Sequence, residues 1–242
     1  MTDVMSLREK CFAQTKAALQ NSLPEDRLII HTKEMIDDLT KANNQLAKRM
    51  REWAGGWIPE LEQLDDHEAY LTKLTLSKED ILKELHEKDS IGSEIPQAHE
   101  EQLRETAASI AHLYERRRRL MEFLEDELEK LMPNTLAICG TSIAADLLAH
   151  AGSLKKLSRY PSGTIQLLGA ESALFRHLRN KKHKVPKHGT IINHQLIQRA
   201  KRQDRGRVAR ALADKISIAA KVDFFKGEPC GQRLLQELEA KF

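Results

Sequence analysis

The sequence predicts an all-α protein, with a long antiparallel coiled-coil helix pair followed by a globular helical domain. Two observations predict it. Aromatic residues make up 5% of the chain and charged residues 31%, with Glu, Lys, Leu, Ala and Arg prominent, a composition that favours long helices. Two segments repeat apolar residues at steps of three and four, the spacing of one helix face. The charge is also divided. Residues 1–152 carry 19 Lys/Arg against 29 Asp/Glu, and residues 153–242 carry 20 against 7. Such a division suggests that the second half meets a polyanion while the first does something else.

Residues 3–20 fit a short amphipathic helix that stops at "NSLPED". Pro24 suits the first turn of the next helix. That helix places Met35, Leu39, Ala42, Leu46, Met50, Trp53 and Trp57 in a near-heptad seam. "AGGWIP" breaks the pattern. Residues 60–96 read as short helices and turns, and "LSKEDILKEL" has a capping-box form at Ser77 and Asp80. A long charged helix then runs from about Gln97 to Leu131. Its apolar marks are Leu103, Ala107, Ile110, Leu113, Leu120, Leu124, Leu128 and Leu131. A narrow seam buries little, so each long helix needs the other or a partner chain.

Pro133 and Asn134 open a different region, rich in small residues and helical, with a stop at Gly152. A turn at "YPSG" precedes a short apolar segment and a helix beginning near Glu171. "VPKHGTIINHQLIQRA" holds a loop marked by Pro and Gly and one short extended piece. "RGRVARALADKISIAAKVDFF" is a strong helix with a stripe of Val208, Leu212, Ile216, Ala219 and Val222. The expected domains are a short N-terminal helix over 1–24, a coiled-coil domain over 25–132 and a binding domain over 133–242.

Several function classes find no support. No apolar run approaches the roughly 20 residues of a membrane span, and the N-terminus has no apolar signal core. Cys11, Cys139 and Cys230 are odd in number and far apart, which fits a reducing cytoplasm without a disulfide framework. His183, His188 and His194 have poor metal-ligand spacing. Neither a nucleophile elbow nor a phosphate-binding Gly-rich loop ending in Lys-Ser/Thr is present. The sequence therefore predicts no enzyme, no metal and no cofactor.

The basic half carries a positive pattern. Residues 176–210 hold 12 Lys/Arg and one acid, Asp204. A solvated face normally mixes signs, because close like charges repel. A nearly pure cationic window reads better as phosphate binding. Gly169 and Ala170 stand just before a helix start, where free N–H groups and the positive dipole end suit one phosphate. Arg205 and Gly206 sit at another helix entry, and Arg207 and Arg210 share a face. Arg210 is four residues from Asp214 and so has a structural reading as well. Scarce aromatics argue against a single-strand reader built on stacking platforms. A folded RNA read by shape and phosphates fits better, with Lys187 and His188 in "VPKHG" reaching it from a constrained loop. The run Arg116–Arg119 reads as a solvated or dimer-facing stripe. A rival reading is a coiled-coil adaptor whose basic half docks an acidic protein.

These residues resemble a known family. "HAGSLKKLSRYPSGTIQLLGAESALFRHL", "PKHGTIINHQLI" and "RGRVARALADKISIAAKVDFF" look like the Nop domain of box C/D ribonucleoprotein scaffolds and of their spliceosomal pre-mRNA-processing relative. "DDLTKANNQLAKRMREWAGGWIPELEQL" looks like the coiled-coil domain of the same scaffolds. The resemblance covers roughly residues 25–225. It implies a noncatalytic RNA-binding scaffold that recognises a kink-turn RNA together with a small kink-turn-binding protein. It also implies self-association through the coiled coil and a place in a complex that guides RNA methylation. The family's Gly-Ala-Glu-Lys motif falls on Gly169, Ala170, Glu171 and Ser172, with Ser in place of the usual Lys. Its basic loop falls on Lys187, His188 and Gly189, and its Arg-Gly-Lys helix start on Arg205, Gly206 and Arg207. The expected RNA-binding set is Gly169, Ala170, Glu171, Ser172, Arg176, Arg179, Lys187, His188, Arg205 and Arg207. Only about 24 residues precede the coiled coil, too few for the domain with which archaeal scaffolds dock fibrillarin, so direct fibrillarin binding is not expected. The expected location is cytoplasmic, or nucleolar and nuclear in a eukaryote.

Overall fold

A computed structural model describes residues 2–20 and 24–242, and it is all-α, with no strand among the described residues. In chain order the helices are α1 (Thr2–Gln20), α2 (Glu25–Ala54), α3 (His67–Leu74), α4 (Lys78–Leu85), α5 (Gln97–Leu131), α6 (Pro133–Ala151), α7 (Leu154–Leu157), α8 (Ser162–Leu167), α9 (Glu171–Arg179), α10 (Gln195–Arg199), α11 (Arg205–Phe225) and α12 (Gly231–Glu239). Two 3-10 turns cover Pro59–Gln63 and Thr190–Asn193. The short extended piece expected within "VPKHGTIINHQLIQRA" is not a strand, and its "TIIN" stretch is a helical turn. Ile191 is buried there, and His194 caps α10 by accepting from the Leu196 N–H. The chain forms two compact units.

One unit is Glu34–Phe123. In it Ala47, Met50 and Ala54 of α2 pack against Leu103, Ala107, Ile110 and Tyr114 of α5, and Tyr70, Leu71, Leu74 and Ile81 close the core. The Ser93 N–H donates to Gly56 O at 2.8 Å. This brings the approach to α5 beside the end of α2 and makes the pair antiparallel. Ser77 caps α4 by accepting from the Asp80 N–H, as the capping-box pattern predicts.

The seam of α2 differs from the expected one. Buried positions are Ile36, Asn43, Ala47, Met50, Ala54 and Trp57, whereas Met35, Leu46 and Trp53 are exposed. Met50 and Trp57 are buried as expected, but at Ile36, Asn43, Ala47 and Ala54 the stripe lies one residue further on than Met35, Ala42, Leu46 and Trp53, a rotation of about 100°. Two of its members, Ala47 and Ala54, are small and share the buried core with Ala107. The larger apolar residues that dominate the sequence pattern are left on another face. In α5 the expected Leu103, Ala107, Ile110, Leu124 and Leu128 are buried. Arg118 and Arg119 both pair with Glu115, and Arg118 also with Glu68, so two of the four arginines in that run have carboxylate partners.

The other unit joins Leu124–Phe242 to the residues up to Lys33. Helix α11 is its axis, burying Val208, Leu212, Ala213, Ile216, Ala219 and Ala220 against α6, α7, α8 and α12. Helix α6 is broken at Gly140, whose φ of 74° and ψ of 167° are not helical. Lys33 of α2 forms a largely buried ion pair with Asp146 of α6 at 2.6 Å. In α1 the apolar side chains of Leu7, Phe12 and Leu19 are exposed. Among the described residues no helix is long and apolar enough to cross a membrane, and no group of His, Cys, Asp and Glu has metal-site geometry.

Candidate nucleic-acid interface

Two segments far apart in the sequence are laid against each other. The Gly189 N–H donates to Gln166 O and the Thr190 N–H to Leu168 O, both at 2.7 Å. The Gln166 side chain returns a bond to Lys187 O at 2.6 Å. A side chain at position 189 would collide with Leu168 O at 1.8 Å, so only Gly admits this approach. Gly169 has φ of 85°, and a Cβ there would meet Thr190 Oγ1 at 2.2 Å. The "LLGAE" and "PKHGT" motifs are therefore one structural joint, and their glycines are what let it close.

At this joint Glu171 has a defined task. Its carboxylate accepts from the Gly169 N–H at 2.7 Å and lies 3.8 Å from His150 Nδ1. One N–H of the expected phosphate cradle is thus occupied by the chain's own carboxylate. Ala170 is the cap residue of α9. Ser172, Arg176 and Arg179 are exposed and, at steps of four and three, share one face of α9. Phe175 and Leu178 are also exposed on this helix, which buries no residue at all.

The cations converge beside the joint. A cleft of about 830 Å³ is lined by Lys184, Lys187, Arg207 and Arg210, with Gln166 and Gly206. No acid lines it. Arg210 and Asp214 form no ion pair among the described residues, and Arg210 lines the cleft. Arg205 behaves differently. Its guanidinium donates to Ala200 O at 3.2 Å and Gln198 O at 3.4 Å, tying the preceding turn to the start of α11. His188 is partly buried, and burial first, then the charges of Arg205 and Lys187, hold its imidazole below the usual histidine range.

Of the expected residues, the structure brings Lys187 and Arg207 into the cleft, whereas His188 and Arg205, their neighbours in the chain, do not line it. Gly169, Ala170 and Glu171 build the joint behind it. Arg176 and Arg179 lie apart from the cleft lining on α9. Lys184, Arg210 and Gln166 were missed. Lys184 stood in the basic run, but which of its neighbours shares a cleft with it is set by the loop's docking, which no local pattern encodes.

Comparison with known proteins decides what this arrangement belongs to. The family model described as Nop, snoRNA binding domain, fibrillarin, matches residues 35–242. The chain belongs to the Nop family. A NOP5 family protein of Methanocaldococcus jannaschii is 39% identical over 235 residues, covering 90% of this chain and 56% of that protein. Nucleolar protein 56 of Caenorhabditis elegans is 32% identical, covering 88% of this chain and 50% of its own length. Nucleolar protein 58 of Aspergillus terreus is 37% identical, covering 82% and 37%. This Nop chain therefore spans about half or less of the curated relatives it matches. A crystal structure of a fibrillarin/Nop5p complex contains a chain with the same fold. The TM-score is 0.60 at 25% identity, over 98% of this chain and 77% of that one.

Proposed function

We propose that this Nop chain is a noncatalytic RNA-binding scaffold of a box C/D-like ribonucleoprotein. It recognises a kink-turn RNA together with a small kink-turn-binding protein. The observation that carries the reading is the acid-free cleft of Lys184, Lys187, Arg207 and Arg210. Four converging cations, of which only Arg207 has a carboxylate partner, Asp204, suit consecutive phosphates, because each neutralised phosphate releases condensed counterions. The joint of Gly169 and Gly189 fixes the loop that supplies Lys187, so the cations are positioned before RNA arrives.

Helix α9 supplies the second half of the composite surface in this proposal. Phe175 and Leu178 offer apolar contact to the kink-turn-binding protein, while Arg176 and Arg179 offer charge beside it. The test is a gel shift with a kink-turn RNA, alone and with its bound protein. Binding that requires the preformed complex supports the scaffold. Indifference to RNA supports the adaptor reading instead.

Self-association is the second part of the proposal. Met35, Leu39, Ala42, Leu46 and Trp53 form a heptad-spaced apolar stripe outside the core of the unit Glu34–Phe123, with Met35, Leu46 and Trp53 well exposed. A second copy would cover it. Fibrillarin is named with the family and with the solved relative. A pull-down with purified fibrillarin tests whether this chain takes part in a methylation-guide particle. The proposal places the chain in the cytoplasm of an archaeal source and in the nucleolus of a eukaryotic one.

A further inference from the structure

A second cleft opens on the other side of Arg207. It measures about 600 Å³ and is lined by Leu196, Arg199, Lys201, Arg207, Lys241 and Phe242. Arg207 also lines the first cleft, so its side chain is the shared wall. The two clefts differ in chemistry. The first has cations and aliphatic carbon but no aromatic ring. The second has the Phe242 ring, with the Arg207 guanidinium 5.7 Å and the Lys241 ammonium 5.8 Å from its centroid. Two acids also line it, Asp204 and Glu239. Asp204 lies 3.4 Å from Arg207 and so partly answers that charge. The cleft therefore joins a partly exposed ring to four cations and two acids, a net positive lining in which, among the described residues, Arg199, Lys201 and Lys241 are outside any ion pair.

We infer that the second cleft holds one unpaired nucleotide of an RNA strand running on from the folded element in the first cleft. The inference rests on the RNA reading of the first cleft. The base would stack on Phe242, since every base has a face that an aromatic ring accepts. Its phosphate would lie between Arg199 and Lys201. Arg207 would contact the strand where it passes from one cleft to the other. A paired nucleotide does not fit this description, because its faces are already stacked within the helix. An unpaired one can be splayed out and stacked on a side chain. Phe242 and its cations thus supply locally what the scarcity of aromatics rules out for the basic half as a whole.

The experiment compares three RNAs in the presence of the kink-turn-binding protein: a blunt kink-turn, the same RNA with a short unpaired 3′ extension, and the same with a 5′ extension. The proteins are the full chain and its Phe242→Ala, Phe242→Trp and Arg199→Glu/Lys201→Glu variants. The expected result is that one extension tightens binding about tenfold. That gain is lost in Phe242→Ala and in the charge-reversed variant and kept in Phe242→Trp, while affinity for the blunt RNA barely changes with Phe242→Ala. Equal affinity for all three RNAs, or a gain that survives Phe242→Ala, overturns the inference and leaves the first cleft standing. Failure of the unaltered chain to bind even the blunt RNA overturns the RNA reading itself and this inference with it. Matching thermal unfolding curves establish that the variants are folded.

Discussion

Asn134 at the start of α6 and Asp223 near the end of α11 are locked together. The Asn134 backbone N–H and side-chain amide both donate to Asp223 Oδ1, at 2.9 and 2.8 Å. Thr135 donates from its own N–H and hydroxyl to Oδ2, at 2.9 and 2.7 Å. The Asn134 Oδ1 in turn accepts from the Cys230 and Gly231 N–H groups at the start of α12. One buried carboxylate therefore serves the free donors of α6, and one amide passes the connection to a third helix.

Removing this carboxylate strands four donors in the core. Asp223→Ala is expected to cost about 3 kcal/mol or more, because a buried charge-assisted bond contributes about 1.5–3 kcal/mol and the orphaned donors add their desolvation. Asn134→Ala should cost about 2 kcal/mol through its two caps on α12. Urea unfolding followed by far-ultraviolet circular dichroism checks both. An effect of Asp223→Ala below about 1 kcal/mol would show that the network contributes little.

Arg205 and Arg207 differ in their contacts although they are two residues apart: Arg205 bonds backbone carbonyls and Arg207 lines the cleft. Arg207→Glu and Arg210→Glu are each expected to weaken RNA binding and lower the salt slope by about one unit per lost phosphate contact. Neither should shift the unfolding midpoint. Arg205→Ala should instead lower the midpoint, since its guanidinium holds the carbonyls of Ala200 and Gln198. Binding isotherms across a salt series, with thermal melts alongside, distinguish the two. An unchanged slope in Arg207→Glu removes that residue from the interface.

His188 makes stability depend on pH. Its pKa is lowered in the folded chain from an ordinary value of 6.5 by burial and by the nearby charges of Arg205 and Lys187. Between the folded and ordinary values the unfolded chain binds more protons, so stability there rises with pH. The expected outcome is a loss of stability as pH falls below about 6.5. His188→Gln should show a smaller loss over the same window. Urea midpoints measured from pH 7.5 down to 5.5 test this, and identical pH profiles for the two proteins would reject it.

Much of this was legible in the sequence because local signals act alone. Ser77 with Asp80, Gly152 and Pro133 punctuate helices whatever surrounds them, and the basic run between Arg176 and Arg210 is visible without a fold. What was not legible depends on which side chain a distant backbone brings near. Glu171 looked like part of a phosphate cradle, yet its carboxylate caps the Gly169 N–H. Lys184 was one cation among twelve and Arg210 had a structural reading through Asp214, yet both line the first cleft. The seam of α2 misled for a related reason. Periodicity reports that a stripe exists, and this helix carries two, of which the one with alanines faces α5.

The two stripes give opposite outcomes on substitution. Leu46→Glu and Trp53→Glu place charges on the outer stripe, where both residues are already well exposed. They are expected to leave the unfolding midpoint of a dilute sample within about 0.5 kcal/mol of the parent's stability, while breaking any dimer in sedimentation at high concentration. Ala47→Glu places an unpaired charge at a position with no exposure, and it should cost at least about 3 kcal/mol. Ala47→Leu overfills a position with no exposure and should cost about 1–3 kcal/mol. A folded Leu46→Glu variant that still sediments as a dimer would move the self-association surface away from this stripe. A tolerated Ala47→Glu would show that the seam belongs where the larger residues lie.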